Sequence, residues 1–426
     1  MSFKITSIAL LFCAASAEAQ LGVLDSVFLG TGYTNEVYYN TQTMTKTIVP
    51  KNNWELGFQN NLMQASIIAN HTYGVTVYRC PNVSLSDFLN ADTTGLTTWT
   101  PLFNSDVTWN DGALNATRSA NPFDFGWGTY DMGTHFVTGD SVFIIKLVTG
   151  PPGPGAVTEY RKLAVTLKTP GGDYYVRQSN LDNTNDITDT IFKADYLYKN
   201  FGYYSLRNNS KLDREPISTD WDILFTRYYE NVQPVGYYPV AGILSNIGVQ
   251  VAEASGVDVL TVNAANYTSQ FSTKISEIGS DWKFYDQPNN LWVIQDSLTY
   301  FVKSQTNLIS QITLTGFGGS ATGMVSFFVT SIPTSVNEIQ QANLVSMALQ
   351  PNVCNQNTTL IFSSKLNSTY LCTITGLSGQ IISQLSFNAD AGLNQKQLDV
   401  SELKAGIYFV TLTTNTEKLT AKLIKN

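Results

Sequence analysis

One pattern constrains this chain more than any other. A short strand of the form Trp-acid-aliphatic-x-Phe occurs twice, and its neighbours recur with it in the same order. The copies are Trp54-Glu55-Leu56-Gly57-Phe58 and Trp221-Asp222-Ile223-Leu224-Phe225. A tyrosine pair precedes each, Tyr38-Tyr39 and Tyr203-Tyr204. An aliphatic stretch ending in Asn and then Gly-Val follows each, Ile67 to Val75 and Ile243 to Val249. Next comes Trp-x-x-Tyr, at Trp127 and Trp282, and then an apolar strand closed by lysine, Val142 to Lys146 and Thr299 to Lys303. Five landmarks in one order, at similar separations, predict a duplicated domain with loops of unequal length. A short solenoid repeat has a far smaller period.

Alternation predicts the secondary structure of these landmarks. Trp54, Leu56 and Phe58 fall on one face, with Glu55 and Gly57 on the other. Trp221, Ile223 and Phe225 form the matching set. Both read as half-buried strands. Val142 to Lys146 is apolar without interruption, as a central strand requires. Asn52-Asn53, Gly139-Asp140 and the run Pro151 to Gly155 mark turns. Helical periodicity is weak throughout, so each repeat is expected to be a mostly antiparallel β domain. Only 14% of residues are charged and 12% are aromatic, which leaves ample apolar surface for a core and argues against global disorder. The net charge of −8 comes with no dense Lys/Arg patch, so binding that tracks nucleic-acid phosphates is excluded.

The two ends carry separate signals. Lys4, the apolar run Ile8 to Phe12 and the small residues ending at Ala19 predict a signal peptide over residues 1–19. That run is too short to span a bilayer, and no other segment reads as a membrane helix. Of the cysteines beyond it, Cys80, Cys354 and Cys372, the last two lie close together; a disulfide between them and two unpaired thiols are equal expectations. No CxxC or Cys/His cluster suggests a structural zinc site. The C-terminal stretch is strand-rich and contains Leu398-Asp399-Val400-Ser401-Glu402-Leu403, then Gly406-Ile407-Tyr408-Phe409-Val410 and a basic end, Lys422-Leu423-Ile424-Lys425. It resembles the C-terminal sorting domain of type IX secretion cargo. That resemblance implies an immunoglobulin-like β-sandwich over 344–426, recognition by the type IX secretion machinery, and export through the periplasm and the outer membrane to the cell surface or the medium.

The repeats resemble the HmuY-like family of secreted haem-binding proteins. The resemblance rests on Trp221-Asp222-Ile223-Leu224-Phe225-Thr226-Arg227-Tyr228, on the twin at Trp54, and on the aliphatic-Lys strands. It implies two tandem β domains, 20–185 and 186–330, joined to the tail by a linker over 331–343. It also implies haem as a candidate ligand, held by two side chains facing each other across an apolar slot. The chain offers two histidines, His71 in the turn Asn70 to Gly74 and His135 in the loop Tyr130 to His135. Both fall in the first repeat, so one haem per chain is expected. Met132 is an alternate ligand near His135, and Met63 and Met324 are further thioethers.

Other chemistries find less support. Gly139-Asp140-Ser141 has the letters of an esterase motif but lacks a late Asp-x-x-His, and no Gly-x-Ser-x-Gly elbow exists. Asp182 to Asp189 alternates oxygen side chains as a calcium loop does, yet it lacks the turn glycine and the closing glutamate; it reads as a solvated linker between repeats. Tyrosine pairs such as Tyr228-Tyr229 and Tyr237-Tyr238 place one ring on each strand face, so the outward rings could present a binding platform. The expectation is therefore an all-β, exported, non-enzymatic binding protein, with haem as its first candidate ligand. The alternative is a structural or glycan/protein-binding surface module that does not bind haem.

Overall fold

A computed structural model describes residues 22–150, 155–332, 344–364, 367–376, 380–414 and 418–426. The expected signal peptide, nearly all of the expected linker and residues 151–154 of the Pro-rich turn lie outside them. The described chain is all-β, and its sheets are antiparallel apart from one short parallel pair. No described helix is long and apolar enough to cross a membrane. Two compact units form, residues 1–334 and 335–426.

The first unit holds two large cores. One lies under the strands Phe143–Thr149, Val157–Lys168 and Tyr174–Asn180 and includes Leu56, Phe58, Trp127, Ile145, Val165 and Tyr174. The other lies under Leu298–Lys303, Ile309–Phe317 and Met324–Ile332 and includes Ile223, Phe225, Val251, Trp282, Tyr300 and Phe327. The first aliphatic-Lys strand is central, as read, and so is the second. Phe143–Thr149 pairs on both edges, and so does Leu298–Lys303. Each buries both faces: Phe143 and Ile145 enter the large core, while Val142 and Ile144 join a satellite cluster with Cys80 and Phe88.

The cores do not follow the boundary at 185/186. Val23–Phe28 pairs with Met324–Ile332, and Asn35–Tyr39 pairs with Ile223–Val232, so the first strands of the chain complete the second core. Phe201–Ser205 pairs with Leu56–Gln59 and completes the first. The two copies thus exchange their tyrosine strands. Tyr38 lies opposite Leu224, and Tyr203 opposite Gly57. The recurring landmarks make matching contacts. Tyr38 meets Trp221 edge-on at 4.9 Å, and Tyr203 meets Trp54 edge-on at 4.9 Å. Asn70 donates to the carbonyl of Trp54 (3.0 Å), and Asn246 to that of Trp221 (2.8 Å).

The exchange corrects the expected faces of the Trp strands. Leu56–Gln59 and Ile223–Thr226 are buried on both sides, not half-buried. Trp54 and Trp221 precede the paired residues and turn away from Leu56 and Ile223, into two small clusters that both contact Trp109. The acid of each motif is buried as well. Asp222 accepts from the backbone N–H and hydroxyl of Thr41 (2.7 and 2.8 Å). Glu55 accepts from Ser205 (3.0 Å) and pairs with Arg207. Each acid fastens the end of an exchanged tyrosine strand, Asp222 through Thr41, two residues past Tyr39, and Glu55 through Ser205 and Arg207. A buried carboxylate is tolerable only with such partners.

Asp182 to Asp189 is also not a linker. It closes the hairpin between Tyr174–Asn180 and Ile187–Ile191. Asp182 accepts from Thr184, and Asp186 from Arg177.

The second unit is a two-sheet sandwich. Leu344–Gln350, Asn357–Ser364 and Gly392–Asp399 form one sheet; Val353–Cys354, Lys418–Lys425, Gly406–Thr413, Ser368–Gly376 and Ile381–Ala389 form the other. Leu360, Phe362, Tyr370, Val410 and Leu412 fill the space between them. Cys354 and Cys372 are free thiols in this core, and so is Cys80 in the first unit. Burial pushes the Cys372 thiol up to about 11, so it stays protonated at neutral pH.

Candidate functional site

The strand exchange creates a seam where the backs of two four-stranded sheets meet, and a polar network fills it. Glu36 sits at its centre. One carboxylate oxygen accepts from Lys51 (2.8 Å) and Thr226 (2.6 Å); the other accepts from Arg214 (2.6 Å). Glu36 and Arg214 are 178 residues apart in sequence and belong to opposite cores. Burial alone raises a carboxyl pKa, but Lys51 and Arg214 outweigh it and hold Glu36 at about 2.

The network continues through oxygens. Arg214 donates to the Tyr38 hydroxyl (3.3 Å), which lies 3.4 Å from that of Tyr203, and Tyr203 donates to Glu215 (3.1 Å). The backbone N–H groups of Asn200 and Phe201 also donate to Glu215. Its carboxyl is nevertheless pushed up to about 7, because burial outweighs those bonds and the attraction of Arg214. These buried acids are therefore committed to joining strands.

Above the network the seam opens as a cleft of about 680 Å³, open mouth included. Trp54, Trp109, Tyr228 and Tyr229 line it, together with Lys51, Arg214, Arg227, His71 and Asn104. The segment Phe103 to Trp109 spans the seam. The Ile275 N–H donates to Val107 (3.0 Å), the Asn231 N–H to Asp106 (3.0 Å), and the Trp109 indole to Ser245 (2.8 Å).

His71 belongs to this seam cleft, and both of its ring nitrogens are in use. The Val75 carbonyl can only accept, so Nδ1 carries the proton and donates to it (2.9 Å). Nε2 must then accept from the Asn104 N–H (3.2 Å). Burial is the main cause that lowers its pKa to about 4, so the ring is neutral at physiological pH. Phe103 and Tyr229 lie 5.2 and 5.7 Å from it. The ring fastens the turn Asn70 to Gly74 to the spanning segment, and it has no lone pair left for a metal.

His135 lies elsewhere. It sits at the end of an exposed turn with φ +62°, which Asp131 braces by accepting from the N–H groups of Gly133 and Thr134. Nδ1 is hydrogen-bonded to the Tyr130 hydroxyl (2.6 Å), which leaves Nε2 as the free nitrogen. The ring lines a second cleft of about 950 Å³ with Leu62, Met63, Phe123, Phe125 and Lys168. Met132 is 67% exposed and is not among the residues lining this cleft; Met63, 79% exposed, is. The two histidines are thus not brought together. Met324 is at the start of the strand Met324–Ile332, in the second core's sheet, and lines neither cleft.

Sequence reading missed the seam residues Glu36, Lys51, Arg214 and Arg227. Their positions follow no periodic pattern, and their meeting depends on strands paired across most of the unit. It did flag Met63, although nothing local links it to His135.

Residues 349–426 match the family model of the secretion system C-terminal sorting domain, so the tail is a type IX sorting domain and supports export through the outer membrane. The match stops short of the repeats. No functionally curated protein matches the chain. Among solved structures, the dimeric latent PorU from Porphyromonas gingivalis has 7% sequence identity and a TM-score of 0.18, over 67% of this chain and 31% of that one. The chain thus spans about a third of that protein's length, and a likeness of this size supports no inference about fold or activity.

Proposed function

We propose that this chain is an exported, non-enzymatic binding protein that acts at the cell surface or in the medium, with haem bound in the His135 cleft as the first ligand to test. One observation carries the ligand reading: His135 and Met63, an imidazole and a thioether, line the same aromatic-walled cleft. Haem iron accepts that ligand pair. In His135 the Tyr130 hydroxyl occupies Nδ1 and leaves Nε2 free, which is how ligating histidines are commonly oriented. Phe123, Phe125 and Leu62 supply apolar surface for a porphyrin face. Lys168 adds positive charge at the wall for an anionic edge; burial pushes it down to about 8, so it remains mostly protonated at pH 7. The resemblance of the Trp221 to Tyr228 strand to HmuY-like proteins points the same way. His71 has no part in this reading, because its nitrogens hold the seam together.

The non-enzymatic reading rests on how the buried acids are used. Glu36, Glu55, Glu215 and Asp222 each hold strands together.

Haem titration of the secreted chain tests the proposal by absorbance. A sharp Soret band saturating at one haem per chain, abolished in His135→Ala and shifted in Met63→Ala, is the expected result. A stoichiometry of two, or a band indifferent to both substitutions, overturns it and leaves a surface module that does not bind haem.

A further inference from the structure

The seam cleft differs in chemistry from the His135 cleft. Four charged side chains line it: Glu36, Lys51, Arg214 and Arg227. Three are cations and one is a carboxylate, in a chain whose formal charge is −8. Both oxygens of Glu36 are engaged, with Lys51 and Thr226 on one and Arg214 on the other. Arg227, on the strand Ile223–Val232, is half-buried over the Tyr33 ring at 5.9 Å, and among the described residues it makes no ion pair. The cleft is therefore net positive.

Its hydrogen-bonding capacity is also one-sided. The indole N–H of Trp54 and the Nε–H of Arg214 find no acceptor, although these residues are only 5% and 8% exposed. A buried donor without a partner is unfavourable, and native proteins rarely keep one except where something else fills the need. The acceptors on Asn104 and His71, by contrast, are taken, and the buried Tyr228 hydroxyl, without a partner, can donate as well as accept. Asn104 accepts from the N–H groups of Ala69 and Ala113, and His71 accepts from that of Asn104. Ser105 and Thr108 accept through their oxygens from backbone N–H groups and keep their own protons for a ligand. The complement to such a lining is an acceptor-rich anion.

The walls narrow the class further. Trp109 and Tyr229 offer ring faces beside these donors, and Ser105 and Thr108 offer hydroxyl protons. A flat C–H face with hydroxyls around its rim and one negative group fits this combination. We propose that the seam cleft binds an acidic sugar, a pyranose bearing a carboxylate, with the carboxylate on Arg227 and the unspent donors and the ring against the aromatic wall. A simple anion meets only the charge, and a neutral sugar only the wall.

Calorimetric titration of the full secreted chain with glucuronate, glucose and acetate, without haem, tests this site independently of the His135 cleft. Glucuronate is expected to saturate at one per chain, with glucose and acetate each weaker by about tenfold or more. Arg227→Gln removes a charge that makes no ion pair among the described residues and lies only over the Tyr33 ring, and Trp54→Phe keeps a ring but deletes the N–H. Each should weaken glucuronate by roughly tenfold, the size of one charge-assisted or buried hydrogen bond. Near-ultraviolet circular dichroism verifies that both variants stay folded. No glucuronate binding overturns the proposal. So does glucose or acetate binding as tightly as glucuronate, or an Arg227→Gln variant that binds unchanged.

Discussion

Replacing Glu36 with glutamine should expose how much the seam contributes to folding. In the native state Lys51 and Arg214 hold this carboxyl at about 2, against 4.5 in the absence of the fold. That difference corresponds to roughly 3 kcal/mol of stability at neutral pH. Glutamine also leaves two buried cations without their counter-charge, and breaking a buried pair from one side costs about 3–5 kcal/mol. A loss of about 3–4 kcal/mol is thus expected from a unit whose total stability is of order 5–15 kcal/mol. Urea unfolding followed by tryptophan fluorescence measures it directly, because Trp54, Trp109 and Trp221 all lie at the seam. The pH dependence supplies a second check. A carboxyl with a depressed native pKa contributes stability above its unfolded pKa and loses it as pH falls. The gap between the wild type and Glu36→Gln should therefore be full above pH 4.5 and close as pH falls through about 2. A loss below about 1 kcal/mol at pH 7, well under the buried-pair range, or a gap that does not narrow in acid, refutes the reasoning.

Two further groups should tilt stability in opposite directions over one pH window. Glu215 has its pKa raised to about 7, so its stability contribution is full below pH 4.5 and is lost as pH rises through 7; Glu215→Gln should remove that decline. His71 has its pKa lowered to about 4, so protonation of the unfolded chain destabilises the protein as pH falls from 6.5 to 4; His71→Gln should remove that loss. Each slope amounts to roughly 3 kcal/mol across its window, and urea midpoints at pH 4.5, 5.5 and 6.5 would separate them; a variant whose slope matches the wild type contradicts the assignment. Thiol labelling of the secreted chain should find Cys80, Cys354 and Cys372 unreactive when folded and all three reactive in denaturant without reductant. Only one reactive thiol after unfolding would mean that Cys354 and Cys372 are joined.

Much of the fold was legible locally. Val142 to Lys146 reads as a central strand because it is apolar on both faces, and both faces are buried; Thr299 to Lys303 reads as an apolar strand, and it too is buried. The Trp motifs read as strands for the same kind of reason, but their expected solvent faces were wrong. Glu55 and Asp222 look like surface acids in an alternating pattern, yet each is buried against the exchanged strand. Periodicity reports that a face is polar; it does not report whether a partner will arrive to satisfy it. The site residues fared likewise. His71 and His135 share a residue type and a repeat, and only the hydrogen bonds at Val75, Asn104 and Tyr130 separate a fastened ring from one with a free nitrogen.

The sequence by itself determined the antiparallel β class, the duplicated landmarks and the sorting tail. Each is written in short-range order, in alternation, turn residues and a contiguous motif, and short-range order survives whatever the rest of the chain does. Only the tertiary structure decided which copy completes which core, that both faces of the Trp strands are covered, and that Glu36, Arg214 and Arg227 converge on one cleft. Those outcomes depend on pairing between strands as far apart as Val23–Phe28 and Met324–Ile332. Either copy's tyrosine strand presents nearly the same edge to either Trp strand, so the choice between them lies in long-range packing and the buried charges of the seam, not in any local stretch of residues.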